Sequence, residues 1–262
     1  MSCREYRSGR ITMPKLAITR EPGNAYNRCI SCHPLRHTVN VARAREQHAA
    51  YRAALGDLGL EVVQLPRDDQ HADSCFVEDN AVVHRGKALI CRPAKESRRG
   101  EIGPVEEILK EFVRTKRAVD PATVEGGDVI HFEDRLVSGV TDRTNREGIR
   151  QMADWLEVKV ETIEDPSIMH LKSYATHLGR NTVVATGKFA VHPAFKGMTV
   201  IVLLDDEAYA ADTLAVGDAV LMAKGYPKAH ELVRRAGFDV VILDSSEFAK
   251  CDGALTCLSI II

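Results

Sequence analysis

The chain has 262 residues, 45% hydrophobic and 27% charged, with a formal net charge of −2. That length buries a large core as one large domain or two small ones, and the near-neutral balance offers no basic excess for nucleic acid and no charge block for an anionic membrane surface. The longest apolar stretches, such as "MTVIVLL" at 198–204, are far too short to cross a bilayer, and the charged N-terminus carries no apolar run of secretory type.

Residues 1–13 are polar and aperiodic and predict a disordered extension, with Met13 before Pro14 a candidate start site; a single domain is expected over 14–262. "KLAITR" (15–20) reads as the first core strand. "REQHAAYRAALGDLG" (45–59) spaces apolar residues by three and four, a helix, and "LEVVQLP" (60–66) follows as an extended run. "DNAVVHRGKALICRP" (79–93) reads as two short strands around Arg85-Gly86. "GPVEEILKEFVR" (103–114) is helical, "DVIHFEDRLVSGV" (128–140) is a hairpin turning at Glu133-Asp134, and "REGIRQMADWLE" (146–157) is helical before extended "VKVETI" (158–163).

"SYATHLGRNTVVAT" (173–186) turns near Gly179-Arg180, and "DTLAVGDAVLMA" (212–223) turns at Gly217-Asp218, a hairpin dipeptide. Pro227 starts and Gly237 ends the helix "PKAHELVRRAG" (227–237), which "FDVVILD" (238–244) follows. The terminal "ALTCLSIII" is expected to pair with "KLAITR". Hairpins thus recur roughly every 40–50 residues, a period of repeated supersecondary units. Five such units share a core if arranged radially, around one central mouth. Closing that ring requires the last strand to pair with the first. An open α/β sheet is the ordinary alternative; the repeats favour the ring.

Seven cysteines, an odd number without an export signal, predict reduced thiols in a cytoplasm. "CISCH" (29–33) fits a haem-attachment pattern, yet no export signal accompanies it, and no second pair at matching spacing completes a zinc site. More telling are the acids. "DSCFVED" puts Asp73, Glu78 and Asp79 before one hairpin, and "VEGGDV" puts Glu125 and Asp128 before the next. Radial units would converge these carboxylates on one pocket, where their mutual repulsion is relieved by a cation. A planar guanidinium, donating paired hydrogen bonds, fits them. His170 in "IMHLKS" holds the same place before the third hairpin, where a neighbouring Glu125 would keep it protonated. Cys257, on the expected last strand, attacks only as a thiolate, and its pKa falls beside a cation.

Jointly, "VARAREQH" (41–48), "DSCFVED" (73–79), "RPAKESRRGE" (92–101), "EGGDV" (125–129), "TDRTNREG" (141–148), "HLKS" (170–173) and "DGALTCLS" (252–259) resemble the dimethylarginine dimethylaminohydrolase family of the guanidine-modifying pentein superfamily. The resemblance covers most of the chain after about residue 14 and implies a five-unit pseudo-symmetric α/β propeller. It implies Cys257 as nucleophile, His170 as general acid and base, and Glu125 as the carboxylate orienting His170. Asp73, Glu78 and Asp79 would hold the guanidinium, Arg98 and Arg143 the α-carboxylate, and the Cys251 carbonyl the amino group. The loop around Ile30 takes the place of a mobile lid, although "CISCHP" departs from the family's lid sequences.

Related arginine deiminases and amidinotransferases carry His-x-Asp, where this chain has His170-Leu171-Lys172. The missing carboxylate suits a substrate nitrogen that carries methyl groups. The expected activity is therefore hydrolysis of Nω-methylated arginine to citrulline and a methylamine, without metal or organic cofactor. The partner is a small guanidino amino acid rather than nucleic acid or membrane, and the protein a cytoplasmic monomer or homodimer. The alternatives are arginine deiminase and a non-catalytic pentein-fold binding protein.

Overall fold

A computed structural model describes residues 16–262; the extension expected over 1–13 lies outside the described residues. These residues form five three-stranded sheets, each combining an antiparallel pair with a strand added in parallel. β1 (Leu16–Arg20) pairs in parallel with β2 (Glu61–Leu65), which follows α1 (Val41–Asp57). β3 (Ala81–His84) and β4 (Lys87–Ile90) form a hairpin, and β5 (Arg114–Arg117) joins β4 after α2 (Ile102–Phe112). β6 (Val129–His131), β7 (Arg135–Val140), α3 (Arg146–Leu156) and β8 (Lys159–Glu164) repeat that plan.

So do β9 (Ala175–Gly179), β10 (Thr182–Thr186), α4 (Gly187–Ala190) and β11 (Thr199–Leu203). The next set is β12 (Leu214–Val216), β13 (Ala219–Ala223), α5 (Pro227–Arg235) and β14 (Asp239–Leu243), followed by α6 (Ser246–Ala249). Finally β15 (Ser259–Ile261) returns antiparallel to β1, with Ala17 opposite Ile261. The chain's last strand therefore completes the sheet that its first described strand began, as expected.

Local chemistry explains the plan. Arg85 and Gly86 both have positive φ, the conformation a two-residue hairpin turn requires. Asn40 and Asn145 cap α1 and α3, accepting from the backbone N–H groups of Arg43 and Gly148 at 3.1 and 2.8 Å. Each helix then buries its apolar stripe. Val105 and Leu109 of α2 pack with Ala88 and Ile90 of β4, and Ala229 and Val233 of α5 with Val220 and Met222 of β13. A fully buried side chain of this size contributes about 1.5–3 kcal/mol.

Two strands, β5 and β11, had no counterpart among the expected elements. β5 is "RTKR", polar and mostly exposed, and carries no apolar alternation to read. A 3-10 turn precedes each of the four hairpins and β15: Val77–Asn80, Gly126–Asp128, Leu171–Ser173, Asp205–Ala211 and Thr256–Leu258. The first packs on the last and on the second, the second on the third, and the third on the fourth. Among the described residues no helix is long and apolar enough to cross a membrane.

Candidate active site

The two glycines of "EGGDV" let three turns meet. A Cβ on Gly126 would stand 2.0 Å from the Glu78 carbonyl oxygen, and one on Gly127 2.7 Å from Nδ1 of His170 and 2.9 Å from Asp79. Glycine is what lets backbone approach this closely. In the space so made, His170 Nε2 lies 2.8 Å from Glu125 Oε2 and 3.6 Å from Asp79 Oδ1. Burial opposes charge on the ring, but Asp79, the Glu125 hydrogen bond and the nearby Asp128 outweigh it and raise the His170 pKa to about 9. His170 is thus an imidazolium at neutral pH, donating to Glu125. Asp128 fastens the turn that follows, accepting from Leu171 N at 2.9 Å and from Thr141 Oγ1 at 2.8 Å.

Each oxygen of Asp79 accepts one hydrogen bond. Its Oδ1 accepts from Gly127 N at 3.0 Å and its Oδ2 from Arg98 Nη1 at 2.7 Å. Burial alone would raise its pKa; His170 and Arg98 overcome that and hold it below the usual carboxylate range. Arg98 is buried and donates also to both Glu101 oxygens and to the carbonyls of Asp73 and Phe76. Arg143 differs. Its Nε has no hydrogen-bond partner, lying 3.3 Å from Asp142 Oδ2 in poor geometry, and Nη1 stands 3.7 Å from Glu125. Asp79, Glu125 and His170 bring ligand-type atoms within 4.8 Å of one another. Arg98, Arg143 and the imidazolium already match that charge, so the cluster is an ion-pair network.

Cys257 is buried in the 3-10 turn before β15, not on the strand as expected. Its thiol pKa is pushed up, not down, by burial and by Asp212, Glu78 and Asp79. A thiolate here awaits an added cation. The cavity beside Cys257 measures about 20 Å³ and is lined also by Ile30, Asp73, Asp79, Arg98, Arg143, His170 and Cys251. That volume suits one water, not an amino acid. What closes it is the loop at Ile30, whose N–H donates to both Asp73 oxygens at 3.1 and 3.2 Å.

The same loop corrects the expectation of reduced thiols. Cys29 and Cys251 form a disulfide with Cα atoms 5.9 Å apart, inside bridging range, while Cys32, Cys75, Cys91 and Cys257 are free among the described residues. The pairing uses the first cysteine of "CISCH" and so removes that motif as a haem or zinc site. Ser31 Oγ and Cys32 N also donate to Asp252 Oδ2, at 2.7 and 3.0 Å, binding the loop to the segment around Cys251.

Glu78 alone among the three expected guanidinium acids faces elsewhere. It lines a second cavity of about 420 Å³, and its oxygens lie 2.6 Å from Lys172 Nζ and 2.9 Å from Thr256 Oγ1. Glu125 stands behind His170, away from that lining. Thr256, Asp212 and Glu101 were not among the expected site residues. Asp212 was legible by position: it stands just before the fourth hairpin, as Asp79 and Asp128 stand before the first and second. Glu101 follows Arg98 by three residues, a spacing that suits an ion pair.

With this geometry in hand, comparison places the chain. Residues 16–188 match the profile of the eukaryotic N,N dimethylarginine dimethylhydrolase family. An N(G),N(G)-dimethylarginine dimethylaminohydrolase from Pseudomonas aeruginosa is 37% identical over 84% of this chain and 89% of its own length. The chain belongs to the dimethylarginine dimethylaminohydrolase family. A Streptomyces coelicolor member is 35% identical over 94% of this chain and 96% of its own. The Pseudomonas aeruginosa enzyme, solved as a cysteine-to-serine mutant with citrulline, superposes with a TM-score of 0.93 at 34% identity, covering 95% of this chain and all (100%) of that one. The N-terminal domain of a cyanobacterial arginine dihydrolase shares the fold at a TM-score of 0.85, with 18% identity and coverage of 94% of this chain and 96% of its own. Like these relatives, the chain is a hydrolase of C–N bonds with a pentein-type α/β fold.

Proposed function

We propose that this chain hydrolyses Nω-methylated arginine to citrulline and a methylamine through a covalent adduct on Cys257, and that its five sheets are the units of one propeller around the site. The packing of the five 3-10 turns in series, last on first through to fourth, supports the propeller. The observation that carries the chemistry is the imidazolium of His170, held 2.8 Å from Glu125 in the cavity it shares with the buried Cys257 thiol. An acid is thus charged and a nucleophile neutral until substrate arrives.

A substrate guanidinium entering beside Asp79 and Asp73 adds the missing cation, and the Cys257 thiol then ionises, its proton passing to solvent. The thiolate attacks the guanidinium carbon. His170 gives its proton to the methylated nitrogen, which leaves as the amine, and a thiouronium remains on sulfur. Neutral His170 next takes a proton from water as it adds to that carbon; the C–S bond breaks, citrulline forms, and the thiol is restored. Arg98, with its donors committed, orients Asp79. Arg143, with an unpartnered Nε, receives the α-carboxylate, and the Cys251 carbonyl the amino group. The loop at Ile30 must lift from Asp73 to admit substrate.

Methylated substrate is favoured over arginine by Lys172. Where deiminases carry Asp, this side chain reaches away to Glu78 at 2.6 Å and supplies no acceptor to the small cavity. Citrulline release from asymmetric dimethylarginine and from arginine, each at saturating concentration, tests the assignment. Faster turnover of arginine would make the chain a deiminase, and turnover of neither would leave a binding protein.

A further inference from the structure

We infer that Asp212 is the fourth hairpin's contribution to the site: held as a neutral acid, it donates to the Thr256 hydroxyl and so positions Cys257. The inference rests on Cys257 being the nucleophile. Asp212 is buried and stands two residues before β12, as Asp79 stands two before β3 and Asp128 one before β6. Its Oδ1 lies 2.8 Å from Thr256 Oγ1, and on the other side of the same hydroxyl Glu78 Oε2 lies 2.9 Å away.

Counting protons decides the arrangement. A threonine hydroxyl has one proton and can donate to one carboxylate only. If both acids were ionised, the second contact would set lone pair against lone pair in a buried site, a costly arrangement. One acid must hold a proton. Glu78 has the Lys172 ammonium at 2.6 Å on its other oxygen, whereas no ion pair reaches Asp212 among the described residues. The proton therefore belongs on Asp212. The chain of donors then runs one way: Asp212 to Thr256, Thr256 to Glu78, and Lys172 to Glu78.

The titratable groups facing Asp212 are Glu78, Lys172, Tyr209, Tyr51 and Cys257. Burial and the charge of Glu78 raise the Asp212 pKa to about 7, in keeping with a neutral acid. Two consequences follow for Cys257, the next residue after Thr256. The turn that carries it is fixed by a hydroxyl with both neighbours satisfied. No second buried negative charge stands beside the sulfur as it ionises, until pH rises past the Asp212 titration.

Asp212→Asn keeps a donor toward Thr256 and removes the titration; Asp212→Ala removes both. We expect kcat/KM near pH 6.5 to stay within about threefold of wild type for Asn and to fall at least about tenfold for Ala, the range for stranding a buried hydrogen-bond partner. Labelling of the Cys257 peptide by iodoacetamide, followed by mass spectrometry against pH, supplies a readout that a merely structural role would not move. Its midpoint should drop by about one pH unit in Asp212→Asn, a tenfold change in thiolate fraction. An unmoved midpoint, or Asn as damaging as Ala, overturns the role. If Asp212→Asn does not fold, Thr256→Ser should keep activity within about threefold and Thr256→Val lose at least about tenfold; equal behaviour of the two overturns it as well. Turnover surviving in Cys257→Ser would instead remove the nucleophile assignment itself.

Discussion

Two cavities are lined by adjoining residues of the same turns, and they differ in both size and chemistry. Asp79, His170 and Cys257 line the one of about 20 Å³, while their neighbours Glu78, Lys172 and Thr256 line the one of about 420 Å³. Size alone would nominate the second, since a large well-formed cavity is the usual first guess for a ligand site. Charge nominates the first. There an imidazolium, an unpartnered guanidinium nitrogen and a neutral thiol are held by buried partners, and the entrance is covered by a loop whose N–H sits on Asp73. On the other side two ion pairs stand in the lining, Glu78 with Lys172 and Arg180 with Asp218. Successive side chains of a 3-10 turn point about a third of a turn apart, so one stretch of sequence lines both cavities.

The comparison breaks first at Cys257. Cys257→Ser should lose turnover almost entirely, because a hydroxyl is barely ionised at neutral pH even beside a cation, while binding of citrulline, read by calorimetry, persists. Next in size is His170→Gln, with a loss in kcat of about 10²–10⁴-fold for a general acid–base group. The same variant has a stability signature. A pKa raised from 6.5 to about 9 by folding means that the imidazolium stabilises fully below pH 6.5 and loses that contribution as pH climbs through about 9. Wild type should therefore lose about 3 kcal/mol from this group between pH 6 and 9.5 in urea unfolding, and His170→Gln should lack that slope. A parallel pH dependence in both would mean that the ring is neutral in the folded chain.

Arg143→Ala sharpens the contrast between the two arginines that line the small cavity. With Arg98 committed to Asp79 and Glu101, only Arg143 has donors to spare, so KM for methylarginine should rise about tenfold or more, the worth of a charge-assisted hydrogen bond. An analogue without the α-carboxylate should be hardly affected. Equal losses with both compounds would take the carboxylate away from Arg143.

How much of this was legible depended on distance along the chain. The hairpins were readable because their turns are chemically marked, as at Arg85-Gly86, and the closing of β15 on β1 followed from the repeat. β5 was hidden because a polar strand has no period. The Cys29–Cys251 disulfide joins residues 222 apart, a separation that no local pattern encodes. Glu78 and Asp79 look equivalent in "FVED"; which one faces His170 is settled by Gly126 and Gly127, nearly fifty residues later in the chain, whose missing side chains let the turns meet. Asp212 went unread for a related reason: an acid before a strand is ordinary until the hydroxyl of Thr256 is found against it.

The smallest effect belongs to the larger cavity. His177 on β9 lines it, donates from Nδ1 to the His131 carbonyl at 2.9 Å, and packs tilted against the Phe132 ring with centroids 4.5 Å apart. Since burial lowers its pKa, the ring is neutral at pH 7, and Nδ1 is the donor in that contact. His177→Ala removes this hydrogen bond and the ring packing but touches neither Glu78 nor Lys172. It should lower stability by about 1 kcal/mol, which for a chain of this size shifts Tm by roughly 2–4 °C. Meanwhile kcat/KM for methylarginine should stay within about twofold of wild type, because His177 does not line the cavity that holds Cys257. A large fall in kcat/KM with Tm unchanged would show that the larger cavity takes part in the reaction and that charge, not size, had pointed to the wrong side.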